Sequence, residues 1–100
     1  MPYIFSYGTL QQQEIQHELF LRELKGWSDE IVGFELCMNK AYGKYPIIMK
    51  SSNKSVRIVG MVYEVSNEEL KKADIYEGDA YMRTIARTIS GKEAWTYIAK

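Results

Sequence analysis

One hundred residues, 46% hydrophobic and 26% charged, have the size and make-up of a single globular domain spanning residues 1–100, and a second domain is not expected. Thirteen Lys and Arg balance thirteen Asp and Glu for a formal net charge of zero, with no basic cluster, which argues against nucleic acid and anionic membrane as partners. One cysteine (Cys37) and one histidine (His17) rule out an internal disulfide and disfavour both a zinc cluster and a Ser-His-Asp triad. The chain opens into a strand pattern with no leader-like or membrane-length apolar run, so the expectation is a soluble, cytoplasmic protein.

Residues 3–7 read as a strand that runs through Tyr7-Gly8-Thr9-Leu10 into a helix. Gly8 tolerates backbone angles that a Cβ disfavours, and the N–H groups of Gly8, Thr9 and Leu10 would start the helix without partners. Such groups, with the helix dipole behind them, form a site for a carboxylate or phosphate; the plain alternative is an ordinary strand-to-helix turn. Residues 11–25 carry Ile15, Leu19, Phe20 and Leu24 at helical spacing, with Lys25 and Gly26 as the stop signals. His17 lies on this helix and takes no role.

Residues 29–39, with Ile31, Phe34, Leu36 and Met38, suit one long strand bent at Gly33, and leave Cys37 as an inert thiol. In the loop that follows, Tyr42 and Tyr45 either line a pocket or cover an edge, before a short strand opened by Pro46. Residues 56–65 are the most strand-like run, and Gly60 within them predicts a bulge or a tight barrel corner. Ser66 and Glu69 have capping-box spacing ahead of a helix over 67–75 that turns Leu70 and Ala73 inward and stops at Gly78. Residues 81–89 and 93–99 form a closing hairpin through Ser90-Gly91-Lys92. About six short strands and two helices predict an α+β fold, a small mixed β-barrel with helices outside, rather than a doubly wound parallel sheet.

The stretch Ile75-Tyr76-Glu77-Gly78-Asp79-Ala80-Tyr81-Met82-Arg83, taken with Tyr7-Gly8-Thr9-Leu10, resembles the gamma-glutamylcyclotransferase-like family. The nearest likeness is to its compact branch of gamma-glutamylamine cyclotransferases and AIG2-like plant proteins. It extends through Gly33, Tyr45-Pro46, Val59 to Val65, Leu70 to Asp74, Gly91 and Trp95-Thr96-Tyr97, nearly the whole chain. It implies a closed or nearly closed barrel, and an enzyme that releases 5-oxoproline when the α-amine of a γ-glutamyl amine, or of a γ-glutamyl group on a larger carrier, attacks its own γ-carbonyl. By the same carry-over Glu77 shuttles the proton, and Tyr7, Gly8, Thr9 and Leu10 hold the α-carboxylate. Tyr45, Tyr81 and Tyr97 join the substrate pocket, and neither metal nor organic cofactor is needed.

The plain readings stand beside these. Glu77 is otherwise a solvated helix-end carboxylate, Tyr81 an anchor for its strand, and Tyr97 a packing residue whose hydroxyl can donate. Arg83 is read as structural, pairing with Asp74, Asp79 or Glu77. Gln11-Gln12-Gln13-Glu14 stands where many members of the family carry an arginine and a glycine. The competing function class is a non-catalytic module on the same fold that binds a small carboxylate or metabolite.

Overall fold

The computed structural model describes residues 2–37 and 47–100. In chain order the elements are β1 (Tyr3–Ser6), a 3-10 turn (Thr9–Gln11), α1 (Gln13–Phe20), β2 (Gly26–Val32), β3 (Phe34–Leu36), β4 (Ile48–Lys50), β5 (Arg57–Glu64), α2 (Asn67–Glu77), β6 (Tyr81–Arg87) and β7 (Glu93–Ala99). Five strands form one sheet in the order β2-β5-β1-β7-β6, and β3 pairs with β4 separately. β1 therefore sits at the centre, antiparallel to β5 and parallel to β7.

Strand alternation sorts the apolar side chains into two cores. Ile4, Tyr63, Tyr81 and Tyr97 pack with Phe20, Leu24, Leu70 and Ala73 of the helical layer. Phe5, Ile58, Val62, Ala94 and Ile98 fill the other face of the sheet, where Phe34 and Ile48 of β3 and β4 close over them. Each of these larger side chains contributes about 1.5–3 kcal/mol by leaving water, so a sheet covered on both faces gives a short chain two packed layers.

The sheet is open in its pairing order, yet it curls until its two outer strands meet. Ile31 of β2 forms an isolated antiparallel bridge with Thr88, just past β6, and Ile89 N–H donates to Glu30 C=O at 2.8 Å. Asp29 secures this seam. Its carboxylate accepts from Trp27 Nε1 at 2.9 Å, Glu30 N at 2.8 Å, Ser90 N at 3.3 Å and Ser90 Oγ at 2.5 Å. Burial alone would raise the Asp29 pKa, but the hydrogen bonds outweigh it and hold the group well below the usual carboxylate range.

Four local expectations are revised. The helix predicted over 11–25 ends at Phe20, and Leu21 makes the exit in the left-handed region at φ 60°. The exit is early because the buried Gln16 side chain takes over the backbone pairing: its Nε2 donates to Leu10 C=O and its Oε1 accepts from Leu24 N–H, both at 2.8 Å. Gly26 is not a helix cap. It opens β2, where an added Cβ would lie 1.9 Å from Val62 O.

The strand predicted over 29–39 is cut in two at Gly33, φ 89°, which raises the number of strands from about six to seven. Gly60 makes no bulge, since it pairs in register with Asp29; its missing Cβ instead admits Ser6 O, which would lie 2.3 Å away. Among the described residues, no helix is long and apolar enough to cross a membrane.

The seam yields a test. Asp29→Ala should cost about 1–3 kcal/mol in denaturant unfolding, because it takes the shared acceptor from several part-buried donors. Asp29 has a depressed folded pKa, so its contribution is present above the ordinary value of 3.8 and is lost as pH falls through the folded value. The variant should therefore lose less stability than wild type on acidification below 3.8.

Candidate active site

A cavity of about 120 Å³ opens where β1 ends, bounded by residues 5–10, the last turn of α2, Tyr81 and Tyr97. That is room for a small organic acid rather than a single water. It brings Tyr7, Gly8, Thr9, Leu10, Glu77, Tyr81 and Tyr97 to one wall-to-wall site, although some seventy positions separate the turn from Glu77. Tyr45, with Tyr42, lies outside the described residues.

Local rules set the helix that carries Glu77. Ser66 Oγ accepts from Glu69 N–H at 3.1 Å while Glu69 Oε1 accepts from Ser66 N–H at 2.8 Å, the reciprocal cap predicted from their spacing. Arg22 forks onto the same Glu69 carboxylate with two bonds of 2.8 Å, and this pairing chiefly holds the carboxyl down to about 2. At the other end α2 runs on to Glu77, two residues past the expected Ile75, and Gly78, φ 84°, stops it as expected and turns the chain into β6.

Asp74, one turn before Glu77, pins this end. It accepts from Tyr97 Oη at 2.7 Å and pairs with Arg83 Nε at 3.1 Å, and the Arg83 guanidinium lies 4.4 Å from the centre of the Trp95 ring. Of the three acids open to Arg83, it takes Asp74. The Tyr97 hydroxyl is committed to Asp74, and burial together with that bond pushes the phenol far up.

Glu77 has no ion-pair or hydrogen-bond partner among the described residues, and burial pushes its carboxyl up to about 7. Asp74, having absorbed the cation, is why desolvation prevails. Tyr7 lies close by, its hydroxyl donating to Tyr97 C=O at 2.5 Å; burial, then the neighbouring Tyr81 and Glu77, raise that phenol so that it stays protonated at neutral pH.

The turn differs from the expected helix start. Thr9–Gln11 is a single 3-10 turn and α1 begins only at Gln13, so little helix dipole reaches Gly8. Gly8 bends at φ −131°, outside the left-handed region, so its backbone angle does not itself demand glycine. Gly8 N–H donates to Ser6 Oγ at a long 3.4 Å, while the N–H groups of Thr9 and Leu10 have no acceptor among the described residues. Thr9 Oγ1 and Tyr76 Oη share a hydrogen bond of 2.6 Å that ties the turn to α2. Phe5 also lines the cavity, as do Ser6 and Tyr76, two polar residues outside the expected substrate set. Their signals were a polar residue ending an apolar strand and a tyrosine adjoining Glu77.

As a class, this is a small α+β domain with a desolvated acid facing an unpartnered main-chain turn. The family described as Gamma-glutamyl cyclotransferase, AIG2-like, matches residues 4–100, and the chain belongs to it. A Methanocaldococcus jannaschii protein provisionally named a gamma-glutamylcyclotransferase is 37% identical over 106 residues, covering 97% of this chain and 83% of the relative. A solution structure from Arabidopsis thaliana superposes with a TM-score of 0.82 at 23% identity, covering 98% of this chain, which spans only 61% of that protein's length. A solved gamma-glutamyl cyclotransferase superposes with a TM-score of 0.74 at 19% identity, over 99% of this chain and 66% of its own. At these identities the two structures establish the shared fold, and the family match carries the gamma-glutamylcyclotransferase-like assignment.

Glu77 should cost the fold stability. Its folded pKa of about 7 exceeds the ordinary 4.5, so its favourable contribution is complete below 4.5 and is lost as pH rises through 7. Glu77→Gln should therefore be more stable than wild type at pH 8, by on the order of 1–3 kcal/mol, with the difference shrinking towards pH 5. Thermal melts at the two pH values test this.

Proposed function

We propose that this protein is an acid–base enzyme that cyclises a γ-glutamyl amine, or a γ-glutamyl group on a larger carrier, to 5-oxoproline and a free amine. The observation that carries the reading is Glu77, desolvated and without a partner among the described residues, in one cavity with the Tyr7–Leu10 turn. The chemistry needs little more than these two parts. The neutral α-amine attacks the γ-carbonyl carbon, a nitrogen–carbon bond forms, and the carbonyl electron pair moves onto oxygen. When the pair returns, the bond to the leaving nitrogen breaks. The attacking nitrogen loses one proton and the leaving nitrogen gains one, so a single carboxylate can carry it.

A carboxyl that titrates near 7 suits both halves of that transfer, accepting readily and donating readily at neutral pH. In this reading the Thr9 and Leu10 N–H groups bind the substrate's α-carboxylate, and Tyr7, Gly8, Tyr81 and Tyr97 form the surrounding wall. Tyr45 is assigned to the same pocket on the family likeness alone. Holding the carboxylate folds the glutamyl chain on itself and supplies the proximity that makes ring closure fast.

The test is a panel of γ-glutamyl amines and dipeptides with 5-oxoproline release as the readout. Glu77→Gln, folded by circular dichroism, should lose about 10²–10⁴-fold in turnover. In wild type, kcat/KM should climb as pH rises through about 7, where Glu77 becomes the base. A folded Glu77→Gln variant with full turnover removes Glu77 from the chemistry. A wild-type protein that binds small carboxylates but turns over nothing is a binding module instead.

A further inference from the structure

Ser6 is a polar side chain at the end of an apolar strand, 6% exposed, on the wall of the cavity. A hydroxyl has one proton to give and two lone pairs to accept with. Ser6 Oγ accepts only the long 3.4 Å bond from Gly8 N–H, and its own proton has no acceptor among the described residues. Four other hydroxyls around the cavity are engaged elsewhere. Tyr7 donates to Tyr97 C=O, Tyr97 donates to Asp74, and Thr9 and Tyr76 share one bond at the exposed mouth. Ser6 thus holds a buried donor next to the turn.

We infer that the Ser6 hydroxyl contacts the substrate directly, donating to the γ-carbonyl oxygen on which negative charge gathers during ring closure. The inference rests on the cyclisation reading above. That reaction makes two demands for donors, one at the α-carboxylate and one at the carbonyl oxygen. Ring closure brings the γ-carbon to within about 3–3.5 Å of the α-nitrogen, so both oxygen sites fall at the same end of the folded glutamyl chain. The main-chain N–H groups of the turn answer the first demand and Ser6 answers the second. A donor in a dry position strengthens as the oxygen gains charge, and so acts on the transition state more than on bound substrate.

Ser6→Ala and Ser6→Thr test this beside wild type, with thermal melts for folding, kcat and KM on a turned-over γ-glutamyl amine, and calorimetric titration with 5-oxoproline, whose ring carbonyl is the same group after reaction. The alanine variant should lose about 10²-fold in kcat with KM within about twofold, and the threonine variant, which keeps the hydroxyl, should recover most of it. A folded alanine variant with wild-type kcat overturns the inference and leaves the cyclisation reading intact. So does a folded threonine variant as slow as alanine. If wild type releases no 5-oxoproline, the cyclisation reading fails and the titration decides the contact: weaker 5-oxoproline binding by Ser6→Ala supports it, while equal binding overturns it. No binding even by wild type overturns both.

Discussion

The position of β1, four residues long and covered on both faces, constrains the rest of the structure. A strand in the middle of a sheet must pair its backbone on two sides, and this one does so unevenly. Its pairing with β5 runs in register along its whole length, while its parallel pairing with β7 is registered at Ile4 and Trp95 alone. Thr96, fully buried in β7, supplements that side by donating its hydroxyl to Phe5 C=O at 3.1 Å. On the other side Gly60 lets the end of β1 come closer to β5 than any side chain would allow. The backbone at Ser6 is therefore a fixed point, and the turn through Gly8 and Thr9 leaves it in a set direction towards the end of α2.

Two buried acids show how one physical penalty serves opposite ends. Burial opposes the charge on both Asp29 and Glu77. Asp29 meets two backbone N–H groups, an indole and a hydroxyl, so its carboxylate remains charged and binds the outer strands of the sheet together. Glu77 meets no such donors among the described residues, and burial raises its carboxyl to about 7, where a proton can be exchanged near neutral pH. Asp74 separates the two fates locally. By engaging both Arg83 and Tyr97 it anchors the helix end, and it holds the Arg83 guanidinium itself. A site that retains an uncompensated acid gives up stability for chemistry, and the capping box and Arg22 fork at the far end of α2 offset part of that loss.

How far the sequence could be read depended on the range of the interactions involved. Ser66 and Glu69 announced their cap because both partners lie within one helical turn. Gly78 announced the stop, and Ser90-Gly91-Lys92 the hairpin, for the same reason. The first helix was overextended because its true end depends on Gln16, a residue that looks like surface and is instead buried between Leu10 and Leu24. The bulge expected at Gly60 is absent because a glycine inside a strand pattern signals either a bulge or a close approach, and only the neighbouring strand tells which. At the site, Glu77 and the Tyr7–Leu10 turn were legible as motifs. Ser6 was not, since its significance lies in facing a cavity that no local pattern describes.

By itself the sequence determined the elements, their alternation and the family, because apolar periodicity, caps and turn residues act over a few positions and the motif order runs along the chain. The tertiary structure alone decided that Asp74 rather than Glu77 takes Arg83, that Tyr97 commits its hydroxyl to Asp74, and that Asp29 closes the sheet. The last two join groups far apart in sequence, and the first chooses between two acids three residues apart that no local pattern ranks. Each is settled by distance and burial, which exist only once the chain has folded.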